Sequence, residues 1–370
     1  MRNTCLFKLG KAKTFRRTST KFFDWGGNQQ NIDKPTRSIY MSDGWSDAIF
    51  AKLKYWLETG DTSVFTEEEL VNIRVMLQVD QSGAEALVVA FLCKPGKYRQ
   101  LFENNIKPHV YVAMKLFKDL WPEEMIQRGG IELDMDILDI TPIPKLKLNP
   151  QWKELDSLIK DSDNWSLDKR YYYLGKQTAH SGNYGIRENT FRGNILEKSG
   201  GKIVVSKEQA KHFLGTYRGE FPEIPEWNEE VIRIVDEVGI LYNLHGHPYQ
   251  ITAWRKDNYK DYIAWVPQST VGEITRIAFC NLQEYIEEMS LKWDLLNDCH
   301  DSYLCQCPLI DVAHCRAKMQ EYIAQSFISP VDGVEFTMKS ECQLGFNWSP
   351  FDRSNPEKNP LGLRELSWKN

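Results

Sequence analysis

Two strand-like stretches, each with an aspartate at its edge, stand far apart in this chain, and what separates them reads mostly as helix. VMLQVD, Val75 to Asp80, carries the apolar alternation of a strand. HDSYLCQCP, His300 to Pro308, sets a His-Asp pair just ahead of a short β-like run. Trp227, Val231, Ile234, Val235 and Val238 keep the helical period until Gly239 stops it. Val271, Ile274, Ala278, Leu282 and Tyr285 form a second stripe, and Val312, Cys315, Met319, Tyr322 and Ile323 a third. All three read as core. At 370 residues the chain exceeds one ordinary domain, so two lobes are expected. The pattern argues an α+β fold, an antiparallel sheet with an inserted helical lobe.

Local signals set expected boundaries. After Asp80, SGAEALVVA turns into a helix with Ser82 as its cap and Glu85 in its opening turn. A helix from His109 to Trp121 is expected to end at Pro122. Another runs from Ser166, again as cap, to Ala179. Asp139 to Pro150 is punctuated by prolines and reads as a connector.

A net charge of −5 argues against a generally basic nucleic-acid binder. Yet the first 21 residues carry Arg2, Lys8, Lys11, Lys13, Arg16, Arg17 and Lys21 with no acid among them. Such an arm suits phosphates, and a solvated terminus fits it equally. The arm lacks the apolar run of a signal peptide. No stretch approaches the roughly 20 apolar residues of a membrane span. A soluble, intracellular protein is expected, without a membrane partner. None of the eight cysteines forms a CxxC pair, so no zinc knuckle is signalled. Cys305 and Cys307 read as reduced packing thiols on one strand face. His245-Gly246-His247 reads as a turn before it reads as a metal pair.

Strands adjacent in one sheet would bring Asp80 and Asp301 together. Two close carboxylates repel unless a cation neutralises them. Mg²⁺ suits such oxygen ligands, and a pair of ions about 3.5–4 Å apart stabilises both oxygens of a phosphoryl transfer. In KRYYYLGKQTAHSGNYG, Lys169 to Gly185, the residues Lys176, His180 and Tyr184 recur every four positions and line one helix face. That ladder suits a phosphate tail, a sugar and a base. An ordinary amphipathic helix also fits the stretch taken alone.

Together these stretches resemble, in order, the catalytic motifs of A-family DNA polymerases, the bacterial and phage replication and repair type. DQSGAE, from Asp80, is similar to the family's first motif, an Asp with a Glu five residues later. KQTAHSGNYG, from Lys176, is similar to its nucleotide-binding helix, and HDS, from His300, to its closing His-Asp-Glu motif. GGNQQNI (Gly26 to Ile32), PQSTVGEI (Pro267 to Ile274) and GFNWSPFD (Gly345 to Asp352) resemble further family segments. The matches run from Gly26 to Trp348, almost the whole chain.

The resemblance implies a right-hand polymerase fold and template-directed DNA synthesis from dNTPs. Residues 1–102, with the basic arm, and 256–370 would form a palm built on an antiparallel sheet. Residues 103–255 would form inserted helical fingers. Asp80 and Asp301 are implied as ligands of two Mg²⁺ ions, with Mn²⁺ as an alternative. Lys176 would bind the triphosphate and protonate departing pyrophosphate. Arg170 and His180 would face the nucleotide too, Glu85 would crowd the 2′ position of its sugar, and Tyr184 would stand near the template base. His300, Gln268, Asn31, Gln30 and Arg17 are implied contacts of primer–template DNA.

The sequence also departs from the family. Ser302 replaces the usual Glu, His180 a common Phe or Tyr, and Ala264 a usual Asn. The family's arginine one turn before the lysine falls on Tyr172, with Arg170 two positions away as its expected substitute. Because Met1 lies close to where a palm would start, the family's thumb and exonuclease domains are expected to be absent. The chain would be either the C-terminal part of a split polymerase, served by a second chain, or a compact form lacking a thumb. If phage-encoded, it would work in the host cytoplasm. Two other readings remain: a non-catalytic module holding primer–template, and a metal-dependent nuclease.

Overall fold

The computed structural model describes residues 6–8, 18–20, 32, 36–139, 141–251, 259–353 and 355–365. Arg17, Gln30 and Asn31 lie outside them. In chain order the elements begin with β1 (Leu6–Lys8), β2 (Thr18–Thr20), α1 (Phe50–Thr59), α2 (Glu67–Asn72) and β3 (Arg74–Gln81). A long helical block follows: α3 (Ala84–Leu92), α4 (Lys97–Glu103), α5 (Pro108–Leu116), α6 (Trp121–Gly129), α7 (Asp136–Asp139), α8 (Ile143–Leu146), α9 (Trp152–Asp161), α10 (Tyr171–Asn183), α11 (Glu188–Lys198), α12 (Lys207–Glu220) and α13 (Glu223–Glu237). The hairpin β4 (Ile240–Tyr242) and β5 (Pro248–Gln250) leads to α14 (Tyr259–Glu288). The chain then returns through β6 (Asp294–Cys299), β7 (Ser302–Pro308), α15 (Val312–Ile323), β8 (Ser326–Ile328), β9 (Glu335–Thr337), β10 (Ser340–Gly345), β11 (Asn347–Pro350) and β12 (Gly362–Leu363).

Four of these strands form one antiparallel sheet in the order β10-β3-β7-β6. Strand alternation divides its side chains between two faces. Val75, Leu77, Val79, Tyr303, Cys305 and Cys307 enter the main core, where α14 and α15 cover them. Met76 and Leu304 point the other way, into a smaller cluster with Trp348 and Leu363. Each such buried side chain contributes about 1.5–3 kcal/mol, so the helices are held to the sheet by ordinary apolar burial. The cysteines of the main core are free thiols, as expected. The fold is therefore the mixed helix-and-antiparallel-sheet arrangement that the patterning calls for.

Several local expectations need correction. Gly83, at φ 62°, occupies the N-cap of α3; Ser82 instead donates its hydroxyl to Glu341 at 3.0 Å. The helix expected to run through to Trp121 stops at Leu116, and Pro122 lies in the first turn of α6. Proline's missing N–H costs nothing there, so it starts a helix here where it was expected to stop one. Ser166 caps nothing with its side chain, and α10 begins only at Tyr171, after two short 3₁₀ turns. His245 and His247 flank Gly246 in the β4–β5 turn, as read, with Gly246 at φ 81°. No helix among the described residues is long and apolar enough to cross a membrane.

Candidate active site

Sheet register sets the centre of the site. Asp80 of β3 lies opposite Ser302 of β7 on one side and Glu341 of β10 on the other. The Gln81 amide donates to the Asp301 carbonyl at 2.9 Å, so the two acids expected to meet share one end of two paired strands. His300 and Asp301 form the turn between Cys299 and Ser302, and His300, exposed, takes φ 59°. That left-handed conformation is uncommon for a residue with a side chain. Both carboxylates act on the half-buried Cys299 thiol. Burial chiefly pushes it up to about 12; Arg37 opposes this, while Asp298, Asp301 and Asp80 add to it.

Negative charge is thus concentrated at this strand end. Among the described residues, no three His, Cys, Asp or Glu side chains form a ready metal cluster. Two carboxylates without a third protein ligand fit Mg²⁺, which commonly completes its shell with water and substrate phosphates. Asp298, 6% exposed, is an acid that sequence reasoning passed over. It pairs with Tyr303, whose register partner on β3 is Val79, so it belongs to the sheet face opposite that of Asp80. Ser302 is buried too. Its hydroxyl donates to the Cys299 carbonyl at 3.3 Å and accepts from Gln78 at 3.4 Å.

The end of β3 is pinned to α14. The Gln81 side chain, 1% exposed, donates to Thr275 Oγ1 at 2.7 Å and to the Val271 carbonyl at 3.2 Å. Thr275 Oγ1 lies 3.2 Å from the His300 carbonyl, to which it can donate. Both residues were missed; the available signal was a polar side chain directly after Asp80 and a threonine within an apolar stripe. Gln268 stands on the same helix, half-buried, seven residues before Thr275.

Helix α10 carries Lys176 and His180 on its exposed surface. Tyr184 is its C-cap, just past the last helical residue, and is 4% exposed. Its hydroxyl donates to Glu85 at 2.5 Å, and its ring meets His180 edge-on at 5.5 Å between centroids. Glu85 opens α3, five residues beyond Asp80, so this bond joins α10 to the acidic strand end. Two glycines let α10 lie close to its neighbours. A Cβ on Gly175 would come within 2.7 Å of Ala113 Cβ and the His109 carbonyl, and one on Gly182 within 2.2 Å of the Tyr217 ring. Asn183 fixes the end of the helix, donating to Tyr98 at 2.9 Å and accepting from Tyr217 at 2.5 Å.

Near the start of α10, Tyr172 occupies the position where an arginine was sought. Its hydroxyl lies 2.8 Å from His109 Nε2. Burial holds His109 down to about 3, and Lys176, Lys107 and Lys160 lower it further, so the ring is neutral at ordinary pH. His109 is a further residue the sequence reading left unassigned; only its place at the first turn of α5, after Pro108, marked it. Arg170 is half-buried, with its Nε enclosed and unpartnered.

Comparison with known proteins agrees with this geometry. DNA polymerase I of Caldicellulosiruptor bescii is 18% identical over 281 residues, covering 74% of this chain and 26% of that protein. A solved structure described as the POL domain of Pol1 from M. smegmatis, in complex with DNA primer-template and dNTP, superposes with a TM-score of 0.59 at 14% identity. That likeness covers 93% of this chain and 48% of the solved one. The chain therefore spans about a quarter of the curated relative and about half of the structural one. Residues 169–350, which include α10, the strand pair of Asp301 and the turn of His300, match the family described as DNA polymerase family A. That match takes in just under half of the chain, and the fold around it is similar to that of a polymerase domain.

Proposed function

We propose that this chain performs template-directed DNA synthesis, joining a dNTP to a primer 3′-hydroxyl with release of pyrophosphate. The Tyr184–Glu85 hydrogen bond carries the reading. It couples the helix bearing Lys176 and His180 to the strand end bearing Asp80 and Asp301, so a nucleotide along α10 would present its α-phosphate to the two acids. In this reading residues 1–102 and 256–370 form a palm and residues 103–255 the fingers. The M. smegmatis neighbour was captured with primer-template and dNTP, which supports the same ligands here.

Each side chain then has a distinct task. Asp80 and Asp301 would hold two Mg²⁺ ions, which when bound neutralise charge on the attacking and departing oxygens. Lys176 offers an ammonium to the triphosphate and a proton to the departing pyrophosphate, with Arg170 as a further cation. Neutral His109, beside Lys176, offers a ring that binds without adding charge. His180 lies against the sugar, and Glu85, held by Tyr184, fills the space a 2′-hydroxyl would need. Tyr184 borders the template base. His300, bonded through its carbonyl to Thr275 of the helix that carries Gln268, would support the primer–template with Gln268, together with Asn31, Gln30 and the arm containing Arg17.

Primer extension by the whole chain, with Mg²⁺ and four dNTPs, is the test. Template-directed products are expected. Degradation of a labelled duplex without extension would replace this reading with a nuclease. Duplex binding with neither reaction would replace it with a non-catalytic module.

A further inference from the structure

Asn183 ends α10 with its side chain in the interior, 3% exposed. Its Nδ2 donates to the Tyr98 hydroxyl of α4 at 2.9 Å, and its Oδ1 accepts from the Tyr217 hydroxyl of α12 at 2.5 Å. Both tyrosines are buried as well. Tyr98 is anchored further, its amide donating to Glu223 at 2.7 Å and its ring meeting Phe221 edge-on at 5.1 Å between centroids. An enclosed polar group that loses its partner carries the full cost of its desolvation. The three side chains therefore hold one arrangement together. Buried polar networks specify a single packing where apolar contacts would tolerate several.

Two bonds tie the end of α10 to the same neighbouring unit. Helices α3 and α4 pack against each other across the short link 93–96; α3 carries Glu85 and α4 carries Tyr98. Asn183 reaches Tyr98 in the interior, and the next residue, Tyr184, reaches Glu85 at the site. Just beyond, Gly185 turns at φ 62°, and its carbonyl accepts from the Tyr259 hydroxyl at 3.2 Å. Adjacent residues on one backbone do not shift independently. The register of Asn183 against Tyr98 thus fixes the place from which the Tyr184 hydroxyl meets the Glu85 carboxylate.

We propose that Asn183 is a positioning residue for sugar discrimination: its paired amide registers the end of α10 against α4 and so sets where Tyr184 holds the Glu85 carboxylate. The proposal rests on the reading of Glu85 as guard of the 2′ position given above. Without the amide pairing, the end of α10 slips on α4 and the Tyr184–Glu85 bond is weakened. The carboxylate then leaves the space a 2′-hydroxyl would need. Ribonucleotide use rises, whereas deoxynucleotide use, which does not depend on that space being filled, is kept.

The test is primer extension by the whole chain with Mg²⁺ and either dATP or ATP opposite a template thymine, read as kcat/KM for each. Asn183→Leu keeps the volume and removes the pairing. It should lower the dATP-to-ATP ratio about threefold, the worth of one ordinary hydrogen bond. Tyr98→Phe, which cuts only the bond to α4, should lower the ratio in the same direction, and it decides alone should Asn183→Leu not fold. In a Tyr184→Phe background neither substitution should lower the ratio further, because all three act through one hydroxyl. Equal losses with both nucleotides at an unchanged ratio would make Asn183 a packing residue and overturn the proposal, as would independent effects in the double variants. Glu85→Ala separates the two readings. If it leaves the ratio unchanged, or if the wild-type chain extends no primer, the reading of the site fails and this proposal with it. If it lowers the ratio while the Asn183 and Tyr98 variants match wild type, only the present proposal fails.

Discussion

Gln81 donates its backbone amide to the carbonyl of Asp301 at 2.9 Å, and this one bond fixes the acid of the turn beside the acid of β3. The pair should behave as one centre. Asp80→Ala and Asp301→Ala should each reduce single-turnover primer extension more than tenfold, because each removes charge stabilisation from the same transition state. Circular dichroism should be unchanged, since neither side chain is in the core. Retention of more than about a tenth of the wild-type rate in either variant would remove that residue from the centre.

Glu85 accepts the Tyr184 hydroxyl, which fixes its carboxylate, and the proposed function puts a nucleotide's sugar beside it. Glu85→Ala should admit ribonucleotides, lowering the dNTP-to-rNTP ratio of kcat/KM. Tyr184→Phe, which frees the carboxylate without shortening it, should shift that ratio less. An unchanged ratio in the alanine variant would show that something other than Glu85 guards the 2′ position.

Lys176 is exposed on α10, which makes it removable without a cavity. Lys176→Ala should raise the KM for dNTP and slow the chemical step while leaving primer–template affinity nearly intact. Loss of duplex binding with normal nucleotide binding would move α10 from the nucleotide to the DNA.

His109 gives a pH dependence whose sign follows from its environment. Its folded pKa is lowered, from the ordinary histidine value to about 3, whereas the unfolded chain binds a proton below about 6.5. Between those values the unfolded state holds more protons, so stability is lost as pH falls through that window. The loss should approach roughly 1 kcal/mol per pH unit below about 6. His109→Gln should flatten this dependence in thermal melts between pH 4 and 6, within about that window; an equal slope in both proteins would contradict it.

Gly182 lies against Tyr217 with no room for a methyl group. Gly182→Ala should destabilise the protein by about 1–3 kcal/mol through overpacking. It should also disturb the Asn183–Tyr217 bond that fixes the end of α10. Chemical denaturation measures the first effect and dNTP affinity the second.

That Asp80 and Asp301 stand at one end of neighbouring strands was legible because strand alternation and an acid at each strand edge are local signals. The Lys176–His180 face was legible for the same reason, as a simple helical repeat. Gln81 and Thr275 were not, because a buried amide and hydroxyl declare themselves only through partners distant in the chain. Ser162 escaped notice similarly: its hydroxyl meets the Tyr172 amide of α10 from a preceding turn, while the local rule looked for a cap next to the helix and found Ser166. Pro122 shows a different limit. Proline is equally at home just after one helix and at the first turn of the next, and only the turn from Phe117 to Leu120 decides between them.

The sheet order β10-β3-β7-β6 has a consequence for how the molecule is made. Both neighbours of β3 lie C-terminal to it, beyond the whole helical block, so during synthesis this strand emerges with neither edge paired. Its apolar residues Val75, Leu77 and Val79 must wait on the ribosome while the helices after it are translated and can fold. Late, non-local strand pairing is slow and leaves edges open to aggregation. A release or pause before Ser302 would leave β3 without β7, and one before Ser340 would leave it without β10. Because the β3–β7 pairing is what sets the strand ends of Asp80 and Asp301 side by side, a nascent chain halted before β7 cannot bring them together.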